Sequence, residues 1–290
     1  MASATAQPAA RVLRVLSLGA GVQSSTCLLM SLAGELPRLD AAVFADTGWE
    51  PKAVYQHLER LEATAQAGGV PVHRVGAGNL RRDALDPDHH FASLPLFVRR
   101  ADGGRGMIRR QCTREYKLTP IRRQVRALYE RAGRPSGGVE QWLGISLDET
   151  HRMRASDVRY ITLRYVLVEQ RMTRADCQRW LDAHGWPGVP RSSCIGCPYH
   201  SDRQWVELRE HAPQEWADAV AFDRAIRHGH PAAIHKTALR GKAFLHPSLR
   251  PLDQVDLAPP TRVGRSDADA AKAADEADGF GNDCQGVCGV

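Results

Sequence analysis

The sequence predicts an α/β fold in which a mostly parallel, twisted sheet has helices on both faces. Residues 12–18 form a leucine-rich, β-branched run that leads through a glycine-rich turn into an apolar, helix-like segment. Residues 41–45 repeat the strand pattern, and residues 51–67 follow with apolar side chains at helical spacing. Alternating strand and helix patterns favour parallel strands, because the helices form the crossovers between them.

Two more strands are predicted, at residues 70–75 and 142–145. Between them, residues 79–111 are rich in His, Asp, Arg and Gly and have no clear periodicity. Such a stretch inside a compact domain indicates a functional loop, a lid or disorder. Because ligands bind at the carboxyl ends of parallel strands, the segments that follow the strands are expected to form the site.

Composition limits the class of protein. The 290 residues are 43% hydrophobic and 25% charged, as in soluble globular proteins. No apolar run approaches the ~20 residues that cross a bilayer, and the first residues lack the pattern of a secretory signal. We therefore expect a cytoplasmic protein without membrane contact. Its net charge of +6 favours a polyanionic ligand, either a nucleotide or a nucleic acid.

The glycine-rich turn at residues 17–25 has the features of a phosphate-binding loop. Its glycines allow backbone N–H groups to face an anion, and the helix that follows adds positive potential. A tight turn with a serine cap explains the same residues equally well, and the sequence lacks the Gly-Lys-Ser/Thr ending of a Walker loop. The candidate phosphate-binding residues are Ser17, Gly19, Ala20, Gly21, Gln23, Ser24 and Ser25.

This loop resembles that of the PP-loop superfamily of adenine nucleotide α-hydrolases, which usually reads Ser-Gly-Gly-x-Asp-Ser. Ala20 and Gly21 match the glycine pair, and Ser24 matches the closing serine. Gly19 replaces the first serine, and Gln23 replaces the acidic residue. The resemblance implies an adenine nucleotide as ligand. Gln23 retains hydrogen bonding but does not supply the carboxylate that would help to hold Mg²⁺.

Four further segments resemble the phosphoadenosine phosphosulfate (PAPS) reductase branch of that superfamily. Residues 46–48 are similar to its Asp-Thr-Gly and residues 112–120 to its Cys-Cys-x-x-Arg-Lys-x-x-Pro. Residues 144–150 are similar to its Gly-Ile-Arg-x-x-Glu-Ser and residues 194–197 to its Cys-x-x-Cys. The matches occur in the family's order. The nucleotide-binding residues that the resemblance adds are Asp46, Thr47, Gly48, Lys117 and Gly144.

A bound nucleotide or sulfonucleotide needs cationic partners outside the loop. Lys117, Arg152 and Arg154 are the candidates, because guanidinium groups match phosphate and sulfate oxygens. We assign Arg152 and Arg154 to catalysis. The basic run from Arg99 to Arg134 is either a solvated surface or a face that binds tRNA or DNA.

The cysteines indicate a metal centre in a reducing compartment. Cys194 and Cys197 place two thiolates within reach of one metal or cluster. Cys112 matches the first cysteine of the family's cluster-binding pair, and Cys177 is the candidate for the fourth ligand. We expect a [4Fe–4S] cluster, with zinc or a metal-free redox dithiol as alternatives. A buried structural role is the alternative for Cys177, and Cys27 is expected in the core.

The end of the chain carries Cys284 and Cys288. PAPS reductases resemble this chain in ending with a mobile cysteine-bearing segment, which attacks the sulfur of the substrate. The resemblance therefore assigns catalysis to Cys284 and Cys288, with a thiol reductant as a partner. A second metal site, a disulfide between the two cysteines and an inert tail remain as alternatives.

We divide the chain into four expected parts. They are a disordered lead-in at residues 1–10, a nucleotide-binding α/β domain at 11–165, a mainly helical part with the Cys-x-x-Cys metal site at 166–262, and a flexible acidic tether with a cysteine-containing tail at 263–290. Thr173 is expected to cap a helix near the start of the third part.

Three functions are consistent with these patterns. The first is a PAPS-reductase-like enzyme that binds PAPS or ATP and transfers or reduces sulfur beside the cluster. In the second, ATP with Mg²⁺ adenylates an oxygen on tRNA, DNA or a small molecule, and sulfur then replaces that oxygen. The third is a non-catalytic nucleic-acid-binding module with structural zinc, which leaves the nucleotide-site motifs unexplained.

Overall fold

A computed structural model describes residues 11–90, 94–231 and 239–257 of the chain. The expected lead-in at residues 1–10 and the expected tail at residues 263–290 lie outside the described residues.

Within these residues the chain forms eight strands and eight α-helices. The strands are β1 (Leu13–Leu18), β2 (Ala41–Asp46), β3 (Val72–Gly76), β4 (Phe97–Arg100), β5 (Arg105–Met107), β6 (Val139–Leu143), β7 (Ile161–Arg164) and β8 (Gly241–Phe244). The helices are α1 (Val22–Leu32), α2 (Lys52–Ala67), α3 (Leu80–Leu85), α4 (Thr119–Arg131), α5 (Val166–Glu169), α6 (Arg174–Ala183), α7 (Asp202–His211) and α8 (Pro213–Ala225). A π-helical turn covers Thr113–Leu118, and 3₁₀ helices cover Leu147–Arg152 and Leu252–Gln254.

The main sheet has five strands in the order β3-β2-β1-β6-β7, and every neighbouring pair is parallel. Leu16 of β1 lies opposite Ala42 of β2 and Trp142 of β6. The carboxyl ends of these three strands therefore meet at one edge, which brings together the segments that follow each of them. The predicted α/β class with a mostly parallel sheet is confirmed.

Side chains that alternate along β1 supply a core on each face of the sheet. Leu16 and Leu18 belong to a core shared with α1, α2 and α6. Leu13 and Val15 belong to a second core, to which α4 contributes. Fully burying one such side chain stabilises the fold by about 2 kcal/mol. Helices thus cover both faces, as the sequence predicts.

A second sheet of three antiparallel strands has the order β5-β4-β8. Two of its strands lie inside residues 79–111, where the sequence indicated a loop, a lid or disorder. That expectation was wrong for α3, β4 and β5, because elements of three to six residues are too short to show a periodic pattern. The strand expected at residues 142–145 begins earlier, at Val139, and ends before Gly144.

The helical segment after β7 begins as predicted. Thr173 caps α6: its hydroxyl accepts a hydrogen bond from the Asp176 N–H, and the Asp176 carboxylate accepts one from the Thr173 N–H at 2.8 Å. No helix in residues 11–90, 94–231 and 239–257 has both the length and the apolar character of a membrane span.

Candidate active site

The glycine-rich loop joins β1 to α1 at the carboxyl edge of the sheet. Ala20 adopts a positive φ of 55°, and Gly21 is the N-cap of α1. The Ser24 hydroxyl accepts a hydrogen bond from the Gly19 N–H at 3.1 Å, so this serine closes the loop on itself. The N–H groups of the first turn of α1 supply positive potential for an anion.

Two close approaches hold this loop against its neighbours. A Cβ on Gly144, the residue after β6, would lie 2.7 Å from the Ser24 nitrogen, so only glycine fits there without a shift. A Cβ on Gly21 would lie 3.2 Å from the Cβ of Ser192. Gly144 is thus placed beside the loop as the sequence suggests, and its role there is to permit close backbone packing.

Gln23 is held by a charged network beside the loop. Its amide nitrogen donates to Glu149 at 2.9 Å, and its amide oxygen accepts from Arg174 at 2.6 Å. Arg152 forms an ion pair with the same Glu149 at 2.7 Å. The carboxylate that position 23 lacks is therefore present at the loop, on Glu149.

Ser17 and Ser25 are both buried and bonded within the protein. The Ser17 hydroxyl accepts a hydrogen bond from Gln141 at 2.8 Å, which fixes it between β1 and β6. The Ser25 hydroxyl lies 2.8 Å from Nε2 of His57. Neither hydroxyl needs a ligand to complete its hydrogen bonds in this arrangement.

Asp46, the last residue of β2, and Thr47, the next residue, contact different partners. Asp46 accepts hydrogen bonds from the Gly48 N–H and from the Tyr55 hydroxyl, both at 2.7 Å. Burial and this acceptor raise the pKa of Tyr55. Thr47 instead faces the cysteines: its hydroxyl donates to Glu50 at 3.0 Å and lies 3.3 Å from Sγ of Cys194.

Three of the predicted metal ligands line one cavity of about 120 Å³, namely Cys112, Cys194 and Cys197. Three cationic side chains line the same cavity, namely Arg110, Lys117 and Arg191. Gly196, between two of the cysteines, packs on Trp49, since a Cβ there would lie 2.0 Å from the indole ring. The turn of the Cys-x-x-Cys segment is therefore pressed against the protein core.

Lys117 and Glu50 form a buried ion pair at this cavity. Their charged atoms are 3.5 Å apart, and the Glu50 side chain is 1% exposed. Burial alone would lower the pKa of Lys117, but the negative charge of Glu50, together with that of the three cavity cysteines, outweighs burial and raises that pKa. Glu50 also accepts a hydrogen bond from the Cys194 thiol at 3.5 Å, while its Oε2 atom is buried without a partner.

Without a bound metal, the thiols of Cys194 and Cys197 are protonated at neutral pH. Burial raises the pKa of Cys194, and the charge of Glu50 raises it further. Burial also raises the pKa of Cys197. Metal binding must therefore displace these protons, which the cationic side chains around the cavity favour.

Cys177 does not join the other three cysteines. It lies on α6 in the core next to α1, together with Cys27, and both are fully buried. Burial raises the pKa of Cys177 to about 12. The structure thus places this residue in the alternative, structural position, because α6 packs its cysteine face against α1 and turns it away from the cavity.

The three cavity cysteines suit an anionic cluster. Within the described ranges, no three metal-binding side chains surround one point closely enough for a single ion. Cysteine thiolates are the usual ligands of an iron–sulfur cluster, and Lys117 lines the same cavity. Cys112, Cys194 and Cys197 therefore offer three of the four thiolates that a [4Fe–4S] cluster takes.

The predicted catalytic residues are only partly placed. Arg152 lies near the loop through its pair with Glu149. Arg154 is anchored by its backbone, whose N–H donates to the Tyr165 hydroxyl and whose carbonyl accepts from it, both at 2.8 Å. Cys284 and Cys288 lie outside the described residues.

Sequence reasoning missed Glu50, Glu149 and Ser192. Glu50 follows β2 by four residues, within the same edge segment as Asp46, and Glu149 belongs to the segment with Gly144. Both could have been found by treating every polar residue after a strand as a site candidate. Ser192 lies in a loop before Cys194, and its contact with Gly21 has no sequence pattern that would reveal it.

Comparison with solved structures finds proteins of similar fold, and two of them are a reductase and a tRNA thiolase. Neither a family model nor a curated protein sequence matches the chain. The phosphoadenylyl-sulfate (PAPS) reductase from Candida auris, in its phosphate complex, is 12% identical at a TM-score of 0.36, covering 62% of this chain and 74% of that one. The U34-tRNA thiolase NcsA from Methanococcus maripaludis, with its [4Fe-4S] cluster, is 11% identical at a TM-score of 0.38, covering 76% and 73%.

Proposed function

We propose that this protein is an enzyme that binds an adenine nucleotide, PAPS or ATP, at Gly19–Ser25 and performs sulfur transfer or reduction beside a cysteine-bound [4Fe–4S] cluster. Cys112, Cys194 and Cys197 would hold the cluster. Asp46 and Gly48 would lie near the adenosine, as the motif resemblance implies. When bound, the cluster would supply iron for binding or polarising sulfur.

One observation supports the proposal above the others. A small cavity behind the glycine loop, with room for about one water, is lined by Gly19, Glu50, Lys117 and Ser192. Lys117 and Ser192 also line the cysteine cavity. The anion-binding loop and the thiols are therefore separated by a single layer of side chains, and one of those side chains is a cation.

In the reductase form of the proposal, the tail cysteines perform the chemistry. The Cys284 thiolate attacks the sulfur of PAPS, the sulfur–oxygen bond to the 5′-phosphate breaks, and adenosine 3′,5′-bisphosphate leaves with that electron pair. The Cys288 thiolate then attacks Cys284, releases sulfite and leaves a disulfide. An external dithiol reduces the disulfide and restores both thiols. Lys117 and Arg152 would stabilise the charge on the leaving phosphate.

A second candidate is the ATP-dependent thiolation of an acceptor oxygen, and Glu149 favours it. Its carboxylate lies 2.9 Å from the Gln23 amide at the loop, where it can hold Mg²⁺ on the nucleotide phosphates. The acceptor oxygen would attack the α-phosphate, and pyrophosphate would leave. A sulfur nucleophile would then displace AMP.

Product analysis separates the two candidates. The protein is purified anaerobically and incubated with PAPS and a dithiol, and separately with ATP and Mg²⁺. Adenosine 3′,5′-bisphosphate with sulfite supports the reductase, whereas AMP with pyrophosphate supports thiolation. The proposal would be overturned if neither set of products formed in either incubation, with tRNA and DNA also supplied as acceptors. The non-catalytic zinc module of the sequence analysis predicts that outcome.

The cluster is tested by its ligands, with Cys177 as a matched control. Cys112→Ala, Cys194→Ala and Cys197→Ala are each expected to lose iron and visible absorption. Cys177→Ala should retain both, because its thiol lies in another part of the core. Loss of iron from a folded Cys177→Ala variant would show that the ligand set is wrong. A colourless, iron-free wild type would show that the cluster assignment is wrong.

A further inference from the structure

Three cations lie side by side across the small sheet. In the antiparallel register, Arg99 of β4 lies directly opposite Arg105 of β5 on one side and Lys242 of β8 on the other. Residues paired in this way point to the same face of a sheet with their Cβ atoms close together. All three residues are exposed. We call Arg105, Arg99 and Lys242 the cation row.

The cation row has an electrostatic cost that no acidic side chain among the described residues offsets. Like charges directly opposite each other destabilise a sheet. Among the residues that the structure describes, none of the three forms an ion pair. Arg99 lies over the ring of Phe244 at 5.3 Å, and Arg105 bonds the Pro247 carbonyl. A fold that keeps such a row without acidic partners has a surface that an external polyanion would stabilise.

The next set of paired residues in the small sheet connects the cation row to the cysteine cavity. Two residues further along the strands, Phe97 lies opposite Met107 and Phe244. Met107 contacts the hydroxyl of Tyr199, with a sulfur–oxygen distance of 3.7 Å, and Tyr199 lines the cavity. The half-buried Phe97 and its partner Met107 therefore lie next to the exposed charges, and Met107 contacts the lining of the cavity.

We infer that the cation row binds the phosphate backbone of an unpaired nucleic-acid strand, which is the sulfur acceptor. The inference rests on the thiolation form of the proposed function for its chemistry, although the binding itself does not. Cations beside the half-buried Phe97 on an antiparallel sheet match the needs of single strands, whose phosphates are charged and whose bases stack. Chemistry on a base requires that base to leave the stack, so an unpaired strand reaches the cavity more readily than a duplex.

The arginines of α4 provide a matched control. Arg122, Arg123 and Arg126 belong to the same basic run of the sequence and are equally exposed. Two of them already have acidic partners, since Arg122 pairs with Asp157 and Arg126 with Glu130. Their helix also packs on the main sheet, away from β4. Changing three arginines there removes the same charge without touching the cation row.

The test is fluorescence anisotropy with labelled oligonucleotides: single-stranded RNA, single-stranded DNA and duplex DNA. The variants are Arg99→Gln/Arg105→Gln/Lys242→Gln and the control Arg122→Gln/Arg123→Gln/Arg126→Gln. The row variant should bind single strands at least about tenfold more weakly, and its log Kd against log salt slope should fall by about 2, for three lost phosphate contacts at about 0.7 each. The control should change Kd less than about threefold.

Thermal unfolding is the control for folding of the row variant. Its Tm should be equal to or above that of the wild type, because like charges have been removed. An equal loss of binding in both variants would overturn the inference, since it would mean that net charge alone is responsible. Tighter binding of duplex than of single strands would also overturn the inference. So would binding of phosphatidylserine vesicles that depends on the cation row and matches the affinity for single strands. Row-dependent strand binding by a protein that turns over no nucleotide would instead contradict the proposed function.

Discussion

Protonation of His57 is expected to reduce stability in mildly acidic solution. His57 lies on α2, is 9% exposed and has its Nε2 atom 2.8 Å from the Ser25 hydroxyl. Burial, and then the charge of Arg60, lowers the pKa of His57 from 6.5 to about 4. A charged His57 would also lie beside the first turn of α1, whose N–H groups already supply positive potential.

The magnitude follows from proton linkage. Between about pH 6.5 and pH 4 the unfolded chain binds a proton at His57 that the folded chain does not, so stability falls as the pH falls through this window. With a pKa of 6.5 unfolded and about 4 folded, the free energy of unfolding should drop by about 2 kcal/mol between about pH 7 and pH 5. Below about pH 4 both states are protonated, and the loss stops growing.

The assay is urea unfolding of the wild type and of His57→Gln at these two pH values. Glutamine can still bond Ser25 but does not titrate. Burial also lowers the pKa of His200 and of His230, but these residues are present in both proteins and cancel in the difference. The wild type should lose about 2 kcal/mol more than the variant. Equal losses would refute the reasoning, because they would mean that His57 has the same pKa in both states.

Three further substitutions test the packing of the site. Gly144→Ala should lower the free energy of unfolding by about 2 kcal/mol, because its Cβ would lie 2.7 Å from the loop backbone. It should also weaken nucleotide binding in calorimetry, and unchanged affinity would contradict this. Gly196→Ala should cost about 1–3 kcal/mol and shift the tryptophan fluorescence of Trp49, whereas Gly106→Ala, which meets no atom within 4 Å, should do neither. Lys117→Met should cost about 3 kcal/mol in urea unfolding by leaving Glu50 unpaired, and Lys117→Met/Glu50→Leu should recover most of it.

Much of the main sheet could be predicted from the sequence because its strands are short apolar runs between helices. β1 and β2 are buried along nearly their whole length, so their patterns are continuous and easy to detect. β4, β5 and β8 could not be predicted, since each has only three or four residues and β8 pairs with a strand far away in the chain. Cross-strand pairing of that kind has no local pattern.

For the candidate site, the sequence indicated which segments come together but not which way each side chain points. Thr47 was expected near the nucleotide, yet its hydroxyl lies beside Cys194. Cys177 was expected at the cluster, yet α6 packs that face against α1. The position of a residue in a motif identifies its neighbourhood, but the direction of its side chain depends on the strand register or helix face that tertiary packing selects.

Lys117 shows how this packing makes one site from distant segments. Its charge is held by Glu50 from the loop after β2, and its π-helical turn begins directly after Cys112. When a phosphate and cysteine thiolates are both present, the buried carboxylate of Glu50 keeps Lys117 in place, and the single positive charge of Lys117 faces several negative charges. The positive charge of Lys117 must then be shared between the nucleotide phosphate and the thiolates, both of which it attracts. Nucleotide binding and metal binding should therefore be coupled through this one side chain. Because the phosphate and the thiolates compete for Lys117, each ligand should weaken the binding of the other.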